Sequence, residues 1–444
     1  MTRHRAPLPP PAEDPFYRAP VGFEALSPGT VLRSRQVEIA LFGRIRLRVS
    51  AWQLLYRSSD LHRRPETAVT TVLLPDCADP NVPRPILAYQ CAIDAIDGRH
   101  SPSYALRRGA HAPACVPQYE LLVIANALRR GWAVSIADHG GHGGYFGAPR
   151  EPGYRVLDGV RAATAFLPLG LDSDAPIALW GYSGGGMASA WAAEMAGGYA
   201  PELRVVGAAL GAPVGDPGQT LHKLNGTRLA GLPIMVIAAI RHLYPDLKRT
   251  LNSHGSSTGL DRLDEIETLG TIAAIKRFQR EDLDDYTEVP LDELLARPEI
   301  ADVIDDLRLG THTPACPLLV VQPVHDQFID VADVDGQVQR YIDAGAHVRY
   351  LRDRLSEHVT LLPLSTPMVL GWLADRFAGR PLPAAGVTTV WSVAASLRAI
   401  LGLLMMGLVT VKAATGRRLT PRKWRSHRRT RRMVAPPTEI RLSS

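Results

Sequence analysis

The chain has 444 residues, room for one large domain or two, and 46% of them are apolar, so a sizeable core is within reach. Four scattered cysteines, Cys77, Cys91, Cys115 and Cys316, form no C-x-x-C pair, which argues against a zinc ribbon, a dithiol redox motif or a disulfide scaffold; they read as small buried thiols. The net charge of +6 is a property of the tail: residues 384–444 carry twelve Lys and Arg against Glu439, leaving −5 on the rest, so basicity gives no reason to expect a nucleic-acid partner for the main body.

Residues 1–15 are basic and then proline-rich, and read as a disordered lead-in. They lack the apolar core of a secretory signal, so the expectation is a cytoplasmic protein, or one peripheral on the inner face of a membrane. The apolar alternation of 37–41 and 45–49 predicts antiparallel strands at a sheet edge. Short apolar runs at 69–74, 85–89 and 132–137 predict buried strands, with an amphipathic helix over 119–130 closed by Gly131. A glycine-rich loop opens at Asp138, and 154–166 is helical in pattern.

Residues 175–186 organise the chain. The apolar run 177–180 predicts a strand, and it leads straight into Gly181-Tyr182-Ser183-Gly184-Gly185, a G-x-S-x-G sequence. The alanine-rich 187–196 that follows is strongly helix-forming. Strand, glycine-flanked serine, helix is the setting of a nucleophile elbow, in which a tight turn strains the serine and points its hydroxyl outward. After a further strand at 203–210, residues 214–313 are mostly helical in pattern and read as an inserted cap. Alternation resumes with a strand at 317–322, a helix at 331–344, a strand at 346–351 and a helix at 368–377. Strands alternating with helices imply a mostly parallel sheet with helices on both faces. The expected organisation is a lead-in (1–15), a first body segment (16–213), the cap (214–313), a second body segment (314–380), and an apolar helix with a basic tail (381–444).

A serine hydroxyl is a weak nucleophile that needs an imidazole to take its proton and a carboxylate to orient that imidazole. After an elbow these follow in the order acid, then histidine, each just past a strand. Asp326 is the first carboxylate beyond 317–322, whereas Asp330, Asp333 and Asp335 read as turn or helix-start residues. His358 lies in the loop expected before the last body helix, and the 32-residue gap from Asp326 fits one helix and one strand. His325 and His347 read as structural; His139 and His142 have H-x-x-H spacing but sit in the glycine-rich loop rather than on a helix, which argues against a metal. That loop also misses G-x-G-x-x-G, so no dinucleotide site is argued, and a serine–histidine–acid mechanism needs no cofactor. Two backbone N–H donors must hold the developing oxyanion. Gly184 supplies one; the other comes from Ile93-Asp94-Ala95 or from His139-Gly140-Gly141, and the spacing does not choose.

The chain resembles the LIP-type secretory lipase family through Asp14-Pro15-Phe16-Tyr17, Pro28-Gly29-Thr30-Val31-Leu32-Arg33-Ser34-Arg35, and Tyr89-Gln90 followed by Asp94. The resemblance continues in Pro102-Ser103-Tyr104, Leu157-Asp158-Gly159-Val160-Arg161-Ala162 and the elbow, and covers roughly residues 14–379. It implies an α/β-hydrolase fold with a helical cap and a carboxylic-ester hydrolase acting on acylglycerols. It further implies a triad of Ser183, Asp326 and His358 and an oxyanion hole of Asp94 and Gly184, which makes the Gly140-Gly141 loop a wall of the site. Two departures bear on location rather than chemistry: the family is largely secreted, and members often carry a disulfide cysteine just before the P-S-Y element, where this chain reads Gly98-Arg99-His100-Ser101.

The cap, rich in Leu, Ile and Val, is expected to bury an acyl chain as well as to pack on the body; the sequon Asn225-Gly226-Thr227 within it reads as coincidence. The tail is apolar over 387–411 apart from Arg398, and its uninterrupted stretch of 13 residues would make about 20 Å of helix, short of the roughly 30 Å hydrocarbon core. Ten basic residues and no acid follow in 412–432, a pattern suited to peripheral contact with an anionic membrane. Alternative readings are an acyltransferase using the same triad and a catalytically silent lipid-binding protein.

Overall fold

A ten-stranded sheet carries the molecule; the computed structural model describes residues 8–420, and the calls on 1–7 and on the basic 421–444 lie outside the described residues. Strand β1 (Val31–Gln36) leads through a small ribbon, β2 (Ala40–Leu41) with β3 (Ile45–Arg46), to the long strands β4 (Val49–Ser59) and β5 (Pro65–Pro75). Then come β6 (Ile86–Gln90), β7 (Ala133–Ala137), β8 (Ile177–Tyr182), β9 (Val205–Gly211), β10 (Leu318–Pro323), β11 (Val348–Asp353) and β12 (Gly386–Val390). Their order across the sheet is β1-β4-β5-β7-β6-β8-β9-β10-β11-β12. The first three are antiparallel, and from β7 onward all are parallel. The central strands β6, β7 and β8 are buried along their whole length, hence their near-continuous apolar runs.

Helices α1 (Pro102–Ala105), α2 (Val116–Arg129), α3 (Glu151–Ala165) and α4 (Gly184–Tyr199) belong to the first body segment. The cap comprises α5 (Pro217–Leu224), α6 (Gly231–Ile240), α7 (Pro245–His254), α8 (Ser257–Glu267), α9 (Thr271–Arg277), α10 (Leu291–Leu295) and α11 (Pro298–Leu307). The body resumes with α12 (Val331–Asp343), α13 (His358–Phe377) and α14 (Leu397–Ala414). On the sheet, α3 packs with α4, and α2 with α13 and α14, so both faces are covered.

Four local expectations are corrected. The 37–41 and 45–49 stretches meet the sheet only at their outer ends, where Val37 N–H donates to Ala51 O and Val49 opens β4; between them 40–41 and 45–46 pair antiparallel as the separate β2–β3 ribbon, and the sheet edge is β1 on β4. The end of the lead-in is ordered, since Asp14 accepts from Phe16 N–H and pairs with Arg35 at 2.6 Å. Helix α13 begins at His358, ten residues before the expected start. Pro363 and Pro367 interrupt the helical pattern in sequence, yet Glu357 accepts from Val359 and Thr360 N–H and caps the first turn. Finally, the expected tail helix is preceded by β12, whose β-branched Val387, Thr388 and Thr389 lie along β11 as an exposed edge.

Several of the motifs carrying the family resemblance form buried polar networks. Tyr17 and Ser103 hydroxyls are hydrogen-bonded at 2.9 Å, and Ser103 donates both its N–H and its hydroxyl to Asp138, whose carboxyl burial pushes up to about 7. Asp158 accepts from Ser58, Tyr199 and Arg161. A side chain at Gly29, where φ is +83°, would strike Arg161 Cβ at 2.3 Å, which explains the glycine.

Candidate active site

The turn between β8 and α4 is as tight as its glycines predict. A Cβ on Gly181 would lie 2.1 Å from Gly185 O, and one on Gly185 would lie 2.1 Å from Gln90 O. Ser183 sits between them at φ 55°, ψ −123°, a strained conformation for a residue with a side chain. Ser183 N–H is tied to Gly211 O at 2.8 Å, which pins the turn to β9. Helix α4 starts at Gly184, so the N–H groups of its first turn have no carbonyl one turn earlier and face the site.

Asp326 and His358 converge on this serine. His358 Nε2 lies 2.9 Å from Ser183 Oγ, and its Nδ1 lies 2.8 Å from Asp326 Oδ2. Asp326, buried just past β10, accepts from Phe328 and Ile329 N–H at 2.8 and 2.9 Å and from Gln322 at 3.2 Å. Those bonds fix the carboxylate, and the carboxylate fixes the ring. His358 is held further by Tyr182, whose hydroxyl donates to its carbonyl at 2.6 Å, and by Phe328, stacked on its ring at 4.3 Å.

The remaining sequence candidates are placed elsewhere. Asp330 caps α12, Asp335 pairs with Arg352, and Asp333 is a buried carboxyl raised to about 6 by that burial. His325 is exposed, and His347 bonds Pro383 O. His139 is fully covered and bonded to Cys91 O, with its pKa lowered to about 4 by burial; His142 bonds Thr67 Oγ1. Among the described residues, no cluster of His, Cys, Asp and Glu could hold a metal ion. Cys91, Cys115 and Cys316 are buried thiols, while Cys77 is exposed.

Of the two oxyanion candidates, Asp94 stands beside Gly184: a Cβ there would lie 2.1 Å from Asp94 Oδ1. Asp94 has a positive φ of 37°, and its carbonyl takes a hydrogen bond from Thr271 of the cap at 2.8 Å. Burial raises its carboxyl to about 6. The Gly140-Gly141 segment instead packs on the guanidinium of Arg155, which is buried between Glu66 and Glu151.

Ser183, Gly184, Asp94 and His358 open into a cavity of about 600 Å³, roofed by the cap. Its walls are overwhelmingly aliphatic and draw on both apolar clusters of the cap: Ile234 and Leu263 from one, Ile240 and Ile300 from the other. Sequence reading missed Phe328, the Tyr182 bond, Thr271, and Lys223 of α5, which donates to Asp326 O at 2.8 Å. Only Tyr182 carried a signal, as the second residue of the elbow; the others are brought in by tertiary folding from segments with no motif.

A strained serine between strand and helix, an acid after β10 and a histidine after β11, all at the carboxyl ends of parallel strands, define the chain as an α/β-hydrolase with an inserted helical cap. It belongs to the secretory lipase family, whose family model matches residues 106–385. A Mycobacterium tuberculosis protein named a probable inactive lipase is 49% identical over 93% of this chain and 92% of its own length. Lipase A of Arthroderma benhamiae is 36% identical over 84% of this chain and 81% of its own. Among solved structures, Candida antarctica lipase A superposes with a TM-score of 0.83 at 25% identity, covering 93% of this chain and 98% of that one.

Proposed function

We propose that this chain is a serine carboxylic-ester hydrolase of lipase type, acting on acylglycerols or related lipid esters. The observation that carries the reading is the hydrogen-bonded series Ser183–His358–Asp326 opening on an apolar cavity of about 600 Å³. In this mechanism Ser183 attacks the ester carbonyl while His358 Nε2 takes the hydroxyl proton and then gives it to the leaving alcohol. Asp326 keeps the proton on Nδ1 and stabilises the imidazolium that forms. Gly184 and Asp94 N–H groups hold the oxyanion, and the acyl chain lies among the cap's aliphatic side chains. Water, activated by the same histidine, then releases the acid. No step calls for a cofactor.

The relative's name, a probable inactive lipase, favours a second reading, a lipid-binding protein that keeps the fold without turnover. The same acyl-enzyme could also be handed to an alcohol, an acyltransferase outcome that product analysis with added glycerol separates. The test is hydrolysis of p-nitrophenyl esters from acetyl to palmitoyl by the wild type and Ser183→Ala, with a fluorophosphonate probe alongside. Expected are turnover and labelling in the wild type, and a loss of at least about a thousandfold in the variant. A folded wild type that neither turns over nor takes the probe would establish the silent reading instead.

A further inference from the structure

Helix α14 packs the wrong way round for a soluble surface. An ordinary amphipathic helix turns its large apolar side chains inward. On the side against α2 and α13, Ala399, Val409 and Ala413 are buried, Leu403 and Met406 are half-buried between them, and Gly402 lies so close to Pro367 that a Cβ would come within 2.4 Å. Most of the large side chains nevertheless face out. Leu397, Ile400, Leu401, Leu404, Leu408 and Val411 recur at helical spacing along one face, and Leu397 and Leu404 are 73% and 63% exposed. A contiguous apolar strip of this kind marks an interaction surface.

Three further observations say what covers it. Charge is the first: Lys412 closes the helix, Arg417 and Arg418 follow, and the sequence places ten Lys and Arg with no acid between 412 and 432. A second copy of the chain would bring the same charges against these, whereas an anionic surface complements them. Length is the second. Eighteen residues make about 27 Å of helix, which passes for a spanning helix by length and composition but only at the lower end for a core of roughly 30 Å. Lying in the interface keeps the contacts with α2 and α13; spanning would strip them. Position is the third. Leu355, in the loop that leads to His358, donates its N–H to Trp391 O at 3.0 Å just before α14 begins, and both side chains are exposed. The first turns of α2 and α13 supply Tyr119 and Val359, which are both exposed and part of the cavity wall.

We propose that α14, with Trp391 and Leu355 at its head, seats the protein on an anionic lipid bilayer, lying in the interface with the cavity rim beside the lipid. The seating stands on these observations alone; that it delivers the substrate rests on the ester-hydrolase reading.

The full-length protein tests this by co-sedimentation with vesicles of phosphatidylcholine and phosphatidylglycerol in equal parts, against pure phosphatidylcholine. Wild type is expected to pellet with the anionic vesicles, less so at high salt, and to be released by alkaline carbonate. The variant Leu401→Glu with Leu404→Glu and Leu408→Glu is expected to lose at least tenfold in partition, and the milder Leu404→Ser to lose part of it with an unchanged melting transition. Both should hydrolyse dissolved p-nitrophenyl butyrate within twofold of wild type while losing activity on vesicle-embedded esters. The proposal is overturned by a wild type that stays in the supernatant, by variants that bind as well as wild type, by carbonate-resistant binding (a spanning helix), or by light scattering that shows a dimer which the variants split. Binding intact with no hydrolysis of any ester would leave the seat standing and sink the lipase reading.

Discussion

Body and cap meet at one cavity and contribute opposite things to it. On the body side, the polar atoms around Ser183 are tied down: Asp326 takes three donors besides His358, and the His358 carbonyl takes Tyr182. The cap side is two aliphatic clusters that meet at Leu251, and it reaches the polar site through Lys223 on Asp326 O and Thr271 on Asp94 O. On the proposed ester-hydrolase reading, the difference assigns chemistry and chain selection to separate parts of the sequence. A change on one side should therefore move rate, and a change on the other should move preference.

The largest effect should come from the body. Asp326→Asn places an amide opposite His358 Nδ1 and favours the wrong tautomer, while the cavity keeps its walls. We expect kcat on p-nitrophenyl butyrate to fall by about ten-thousandfold with the chain-length optimum unmoved. An optimum that shifted with the rate would break the separation. The converse change lies in the cap. Leu251 lines the cavity and packs against both clusters, so Leu251→Trp takes up cavity space where the two meet. Expected is a loss of about tenfold in kcat/KM on palmitoyl esters, with butyryl esters within twofold. An equal loss on both would mean that the cap shapes the chemistry too.

This division also explains what the sequence made readable. The elbow announces itself because Gly181 and Gly185 are dictated by backbone approach, and the order of acid and histidine follows from the alternation of strands with helices. Asp94 was legible only through the family resemblance, since nothing local distinguishes it from the Gly140-Gly141 alternative; Arg155, which fills the space beside Gly141, is a tertiary partner. Pro363 and Pro367 hid the first half of α13, where capping by Glu357 and tertiary packing outweigh local propensity. The cap's helices were visible in period, but which of their side chains face the cavity depends on how seven short helices stack. Nor could composition tell α6 from α14: both are apolar, yet α6 is largely covered within the cap and α14 presents a bare strip.

The smallest effect concerns a buried body carboxyl at the cavity wall to which the proposed mechanism assigns no step. Glu120 of α2 accepts from Ala92 N–H at 3.0 Å and from the Tyr89 hydroxyl at 3.1 Å, bracing the segment that leads to Asp94. Burial pushes its pKa from 4.5 to about 8, so the folded protein holds this proton more tightly than the unfolded chain does. The stabilisation from that proton is complete below the unfolded value and is lost as pH rises towards about 8, at a rate of about 1.4 kcal/mol per pH unit at most. Glu120→Gln keeps an acceptor for Ala92 and removes the titration. Melting temperatures measured from pH 5 to 9 should therefore converge with wild type at the acid end and exceed it at the alkaline end, with ester hydrolysis at pH 7 changed by less than about twofold. A variant that melts below wild type throughout would mean that the carboxylate itself, rather than its protonated form, braces the segment beside the nucleophile.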